Sequence, residues 1–297
     1  MKQSVYFLVL FFALSTLCSA APSLSVSYVD GTAYLGTGSS WKELSIGDSA
    51  TAENSIKLDA GASVELTGIG VDITLTQKGT YSIRDLLAAR QKNGSQGVGK
   101  ALSASMAYLL TGPAHNQSTA AGARGANESK SADSEWVESS AQENIQQAKD
   151  LIQAAKYDEA IDKLTQTLDE ATEEELPEVH YYLAYAYSLS GSTIDAVKQL
   201  AGVKSPSGAS WAGDFVLLQA KLYLDTFAFP QAIQWLTQPG NDLSGDAQRA
   251  PIYYYLLGLG YQGVGDGQNA KQSLSKVVAI AGGSDLGKSA AGLLQNQ

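Results

Sequence analysis

The chain is poor in the residues that most catalytic and metal chemistry needs. Among 297 residues it has one cysteine, Cys18, and two histidines, His115 and His180. A lone cysteine forms no intramolecular disulfide. With no second thiolate and no His-x-x-x-His pair, no zinc set is legible either. No Gly-x-Ser-x-Gly elbow presents a serine nucleophile. Basic charge is scarce as well: 20 Lys and Arg stand against 30 Asp and Glu, for a formal charge of -10. That balance does not suit nucleic acid or an anionic lipid surface. Beyond Leu17 no stretch is long and apolar enough to cross a bilayer.

Two further patterns resemble chemistry without supporting it. Gly94-Ser-Gln-Gly-Val-Gly99-Lys100-Ala101 nearly spells a phosphate-binding loop, but Ala101 stands where the magnesium-holding hydroxyl belongs, and no strong strand runs into it. The acidic run around Asp169-Glu170 and Glu173-Glu174-Glu175 lacks the alternating ligands and glycine of a calcium loop. It reads as a solvated loop. No cofactor and no catalytic residue are expected.

The amino terminus is the first positive signal. Met1-Lys2, an apolar run from Val5 to Leu17 and the small residues Ser19-Ala20-Ala21 describe a cleavable secretory signal over residues 1–20. Cys18 fits poorly as a lipoprotein acceptor, because Leu17 precedes it and Ser15 lies three before. Cleavage after Ala20 removes that cysteine and leaves an acidic, soluble chain.

Residues 22–90 alternate apolar and polar residues in short runs. Examples are Ile56-Lys-Leu58, Val64-Glu-Leu66 and Val71-Asp-Ile73-Thr-Leu75, with Asp30-Gly31, Gly47-Asp48 and Gly79 between runs. This predicts an antiparallel, all-β module. The order of Gly31-Thr-Ala-Tyr-Leu35, Trp41 to Leu44, Ile46-Gly47-Asp48, Asn54-Ser-Ile56, Gly61-Ala-Ser-Val-Glu-Leu66 and Gly79-Thr-Tyr81 resembles the FecR-like extracytoplasmic domain. The resemblance implies an extracytoplasmic binding module. The transmembrane helix and cytoplasmic tail of the family's sigma-factor regulators are missing. Residues 91–135, rich in Gly, Ser, Ala and Asn, read as a flexible linker. Within it Ala101 to Leu110 is expected to be helical, with Leu102, Met106, Leu109 and Leu110 on one side that packs on a neighbouring domain.

Residues 136–297 carry a period. Ala160, Ala196, Ala232 and Ala270 lie 36, 36 and 38 residues apart. Aligned on them, Leu257-Gly258, Tyr261 and Gly265 of the fourth unit match Leu183-Ala184, Tyr187 and Gly191 of the second. The third has Ala220 and Tyr223 but no turn glycine, and the first has Ala148 and Leu151. This pattern resembles the tetratricopeptide repeat, in which small residues let two helices approach and large ones fill between layers. The resemblance implies an all-α solenoid of about four helix pairs, closed by an end helix over Ser284 to Gln295. An irregular helical bundle is the alternative.

First helices line the inner, concave face in that family. Helical spacing places Tyr181, Tyr185 and Ser188 on one side, opposite His180, Leu183, Ala184 and Tyr187. Lys221 follows in the third unit, and Tyr255 and Gln262 in the fourth. These six are the expected protein-binding residues, because tyrosine buries area with few rotamers to lose. Packing of the same rings on the next repeat is the competing reading. The sequence therefore describes a multi-domain chain, a small all-β module before an all-α repeat region. It is expected to be an exported, non-enzymatic scaffold of the bacterial periplasm or cell envelope, with protein partners and no nucleic acid. The alternative is a glycan or cell-wall binder whose β module presents Trp41, Tyr34 and Tyr81 on one face and whose repeats recruit a partner.

Overall fold

The structure, a computed structural model, describes residues 23–111 and 140–295, apart from 69, 94, 95, 205 and 207. The expected signal with Cys18, and the linker residues 112–135 with His115, lie outside the described residues. The β-then-α layout expected from the sequence is what the chain adopts.

Eight strands come first: β1 (Ser23–Asp30), β2 (Ala33–Thr37), β3 (Ser40–Glu43), β4 (Ser49–Thr51), β5 (Ser55–Leu58), β6 (Ser63–Gly68), β7 (Val71–Leu75) and β8 (Gly79–Ser82). They form two four-stranded antiparallel sheets, ordered β4-β1-β6-β7 and β3-β2-β5-β8. Alternation puts Val26, Leu66 and Ile73 in register on one sheet, and Leu35, Ile56 and Tyr81 on the other. Leu24, Val26, Ile56, Leu58, Val64, Leu66, Ile73 and Leu75 are buried together in one core. The ladder between β1 and β6 shifts register between Val26 and Tyr28, as at a β-bulge.

Eleven helices follow among the described residues: α1 (Ile83–Asn93), α2 (Gln96–Thr111), α3 (Ser140–Gln153), α4 (Tyr157–Thr167), α5 (Leu176–Ser190), α6 (Thr193–Leu200), α7 (Ala212–Asp225), α8 (Phe229–Leu236), α9 (Ala250–Gly263), α10 (Gly267–Ala281) and α11 (Asp285–Gln295). From α3 onward each helix packs on the next, and α3, α5, α7, α9 and α11 also pack on one another in that order.

The four turns within pairs share one geometry. Ala155, Gly191, Phe227 and Gly265, each five residues before a period alanine, take left-handed φ values of 56°, 92°, 59° and 80°. The next amide in each case, of Lys156, Ser192, Ala228 or Asp266, donates to the carbonyl of Leu151, Tyr187, Tyr223 or Tyr261 at 2.7–2.9 Å. This is the helix-end bond that a left-handed residue permits. The alanines Ala160, Ala196, Ala232 and Ala270 are fully buried, as are Ala148, Ala184 and Ala220 on the partner helices. At Gly258 a Cβ would lie 2.8 Å from the Leu274 side chain, which would have to shift to admit it.

Glycine suits a left-handed turn; phenylalanine does not. Phe227 occupies one because its ring is wanted elsewhere. With Phe229 it is buried in the core of the β module, and the Arg90 guanidinium lies over its ring at 5.6 Å. A second contact joins the outer face of β1 to α6, where Lys198 reaches Asp30 at 3.2 Å and the Tyr28 hydroxyl at 3.0 Å. The β module and the helices therefore share buried surface.

Candidate functional site

The six residues expected on a partner-facing surface sit on α5, α7 and α9, and the structure covers them. Tyr181, Tyr185 and Tyr255 are fully buried, Ser188 and Lys221 are buried, and Gln262 is half-buried. The expectation of an open aromatic face is corrected by that burial, and the contacts show its cause. The Tyr181 ring stacks on Trp211, just before α7, with centroids 4.8 Å apart, and meets Phe215 of α7 at 6.3 Å. Tyr185 meets Tyr181 edge-on at 5.9 Å. The Tyr255 hydroxyl lies 3.0 Å from Ser289 of α11. Tyr181 and Tyr255 thus bridge to the next first helix, which is the packing reading. Lys221 donates to Ser188 at 2.9 Å and ion-pairs with Asp225. Gln262 is separate from them, and its Oε1 has no hydrogen-bond partner among the described residues.

Burial governs the electrostatics. It pushes the Tyr181 and Tyr185 phenols well above their ordinary value, with the nearby Asp214 carboxylate adding to the effect. Burial also raises Tyr255 to about 12, partly offset by the Ser289 hydrogen bond. All three stay neutral at any physiological pH. The hydroxyls of Tyr181 and Tyr185 have no hydrogen-bond partner among the described residues.

Sequence reasoning missed a buried ion pair beside them. Arg249, at the start of α9, grips Asp214 of α7 with two bonds of 2.8 and 3.1 Å, and also holds Asp246 at 2.8 Å. Burial alone would lower the Arg249 pKa; the two carboxylates more than reverse it. Gly213 leaves room for the guanidinium, since a Cβ there would lie 2.7 Å from it. The two partners are one repeat period apart in sequence, and that is the signal by which the pair was findable.

What covers the shared face of the first helices is α2. Its Leu102, Met106, Leu109 and Leu110 are buried in the same core as Tyr181, Leu217, Tyr255 and Leu256. Helix α2 is longer than the expected Ala101 to Leu110, and takes in Gln96 to Ala101 of the near phosphate-loop run as helix.

His180 Nδ1 lies 2.7 Å from Gln199 Oε1, at the edge of an open cleft of about 360 Å³ lined by Glu173, His180, Lys198 and Gln199. Lys198 in that cleft is already engaged by Asp30 and Tyr28. On the β module, Tyr34 and Trp41 share the outer face, with the Trp41 ring lying over Gly36. Tyr81 belongs to the opposite, core-facing side beside Ile56, so the three rings do not form one surface. Among the described residues no group of three or more His, Cys, Asp or Glu is placed to hold a metal, and no helix is long and apolar enough to cross a membrane. Compared with protein families, curated proteins and solved structures, the chain finds no match.

Proposed function

We propose that the chain is an exported, non-enzymatic adaptor that assembles other proteins in the periplasm or cell envelope. In this reading an extracytoplasmic, FecR-like β module is fixed to a stack of tetratricopeptide-like helix pairs. The observation that carries it is the fourfold recurrence of one turn, with a left-handed residue and the same carbonyl acceptor at each period. A series of equivalent pairs builds extended surface rather than a single convergent pocket. The polar clusters support the same reading: Asp214 with Arg249 and Asp246, Lys221 with Asp225 and Ser188, and His180 with Gln199 are engaged in holding helices together. The test is affinity capture from an envelope extract, with the chain lacking residues 1–20 as bait. Stoichiometric recovery of one or a few defined proteins is expected. A bait that elutes alone under gentle washing sinks the adaptor reading, and a chain found in the cytoplasm by fractionation sinks the export.

A further inference from the structure

Helix α2 stands outside the sequential order of the helices. Residues 112–139 separate it from α3, yet its neighbours are α3, α7, α9 and α11. Each of these is the first member of a pair or the terminal helix, so α2 lies along the face those helices share. Its sixteen residues make a rod about 24 Å long. Helices pack about 8–10 Å apart. A rod of that length touches both α3 and α11, the two ends of the series, only if the series curls around it.

The fit is apolar. Leu102, Met106, Leu109 and Leu110 follow the i, i+4, i+7, i+8 spacing of one helix face, and all four are buried in the core of the first helices. Lys100 and Tyr108, on the other side, are exposed. From Ala101 to Thr111 there is no charged residue. On α7 and α9, which α2 touches, Lys221 is paired with Asp225 and Arg249 with Asp214 and Asp246. This is the arrangement of an amphipathic helix laid in an apolar groove. Here the helix is supplied by the same chain.

We propose that α2 is a tethered ligand of a helix-binding groove, and that a partner protein gains the groove by offering its own uncharged amphipathic helix, with apolar residues at the same four spacings, in place of α2. The inference deepens the adaptor reading and rests on it only for the existence of a partner. A tethered ligand competes at an effective concentration of roughly millimolar. Weak or mismatched helices are therefore kept out, and only a helix that complements the groove better than α2 enters.

The probe is a labelled peptide of residues 96–111, titrated into the purified chain and into the double variant Met106→Asp, Leu109→Asp. The variant's own α2 no longer competes, so the peptide is expected to bind it about tenfold or more tightly than the wild type. A peptide carrying the same two substitutions is expected to bind neither. Equal binding to both chains, or to neither, overturns the proposal. Hydrogen exchange on the unaltered chain supplies a second reading that does not depend on the variant's folding. Amides of α2 are expected to exchange through an opening that leaves α5, α7 and α9 protected. Exchange of α2 only together with those helices makes it an ordinary core element and overturns the proposal. Dimers that form with rising concentration in the wild type, and vanish in the double variant, assign the groove to the α2 of a second copy and overturn the partner assignment. Recovery of no envelope protein in the capture experiment, with peptide binding intact, counts against the adaptor reading and leaves the tethered-ligand inference standing.

Discussion

Helices α5 and α6 are joined by Gly191 and Ser192 alone, yet they live in different surroundings. Along α5, Val179, Tyr181, Tyr182, Leu183, Ala184, Tyr185, Ala186 and Ser188 are all buried. Along α6 only Ile194, Ala196 and Leu200 are, one stripe of an otherwise wet helix. The same contrast separates α9 from α10. A helix apolar on every side is a core helix, whereas one with a single apolar stripe lies on a surface. Helices α5, α7 and α9 are core because they are enclosed by second helices on one side and by neighbouring first helices on the other, with α2 added against α7 and α9. A second aromatic face on such a helix is accordingly a second packing layer.

The sharpest test of that contrast is Tyr181→Ala. If the ring is core, its loss costs about 3–5 kcal/mol, as for other large buried aromatics. Urea unfolding with an unchanged m-value measures it, and a shift below about 0.5 kcal/mol would return Tyr181 to the surface. Tyr181→Phe is expected to be neutral or mildly stabilising, because it removes a buried hydroxyl that has no partner among the described residues.

Next in size is the turn where a first helix meets the β module. Phe227→Gly relieves a left-handed backbone by about 1–2 kcal/mol. It also empties a ring-sized site in the β core, at about 3–5 kcal/mol. A net loss is expected by thermal melting. Ala155→Gly in the equivalent but exposed turn has only the relief, and is expected to stabilise by about 1 kcal/mol. Both variants moving in the same direction would mean that the Phe227 ring anchors nothing.

The two faces of a second helix can be compared directly in α8. Ala232 is fully buried, so Ala232→Leu overpacks it at about 1–3 kcal/mol. Gln231, beside it, is exposed, and Gln231→Leu is expected to stay within about 0.5 kcal/mol. Equal melting shifts would show that the helix face is misassigned.

The smallest effect probes the outer side of α6, which faces sheet β4-β1-β6-β7. Burial raises the Glu65 carboxyl above its ordinary value, and Asp195 of α6 and Asp72 of β7 raise it further. The folded chain therefore holds that proton to a higher pH than the unfolded chain does. Glu65 costs stability as pH rises through the interval between the two pKa values, and goes on costing it above. Glu65→Gln is expected to raise the melting temperature slightly at pH 7, with the gain vanishing below the ordinary carboxylate range. A gain that persists in acid would point to packing rather than charge.

The sequence by itself determined the β-then-α layout, because a period of two and a period of 36 residues are properties of local pattern that tertiary context need only accept. It also marked the close-approach positions Ala160, Ala196, Ala232 and Ala270, where small size is itself the message, and the apolar face of α2. Uniform burial of α5 and α9 was legible too, in Tyr-Tyr-Leu-Ala-Tyr and Tyr-Tyr-Tyr-Leu-Leu runs with hardly a polar break, though a helical wheel invites reading two faces into them. Only the tertiary structure decided where that second face goes. Which helix lies against Tyr181 or Leu217 depends on contacts between residues distant in the chain, and nothing in the composition of α2 names its receptor. The same holds for Phe227. A phenylalanine in place of a turn glycine reads as a weak repeat until the β module supplies the cavity that its ring fills. Asp214 and Arg249 show the same physics: a buried charge is stable only beside its partner, and the partner is a neighbour in space, one period away in sequence.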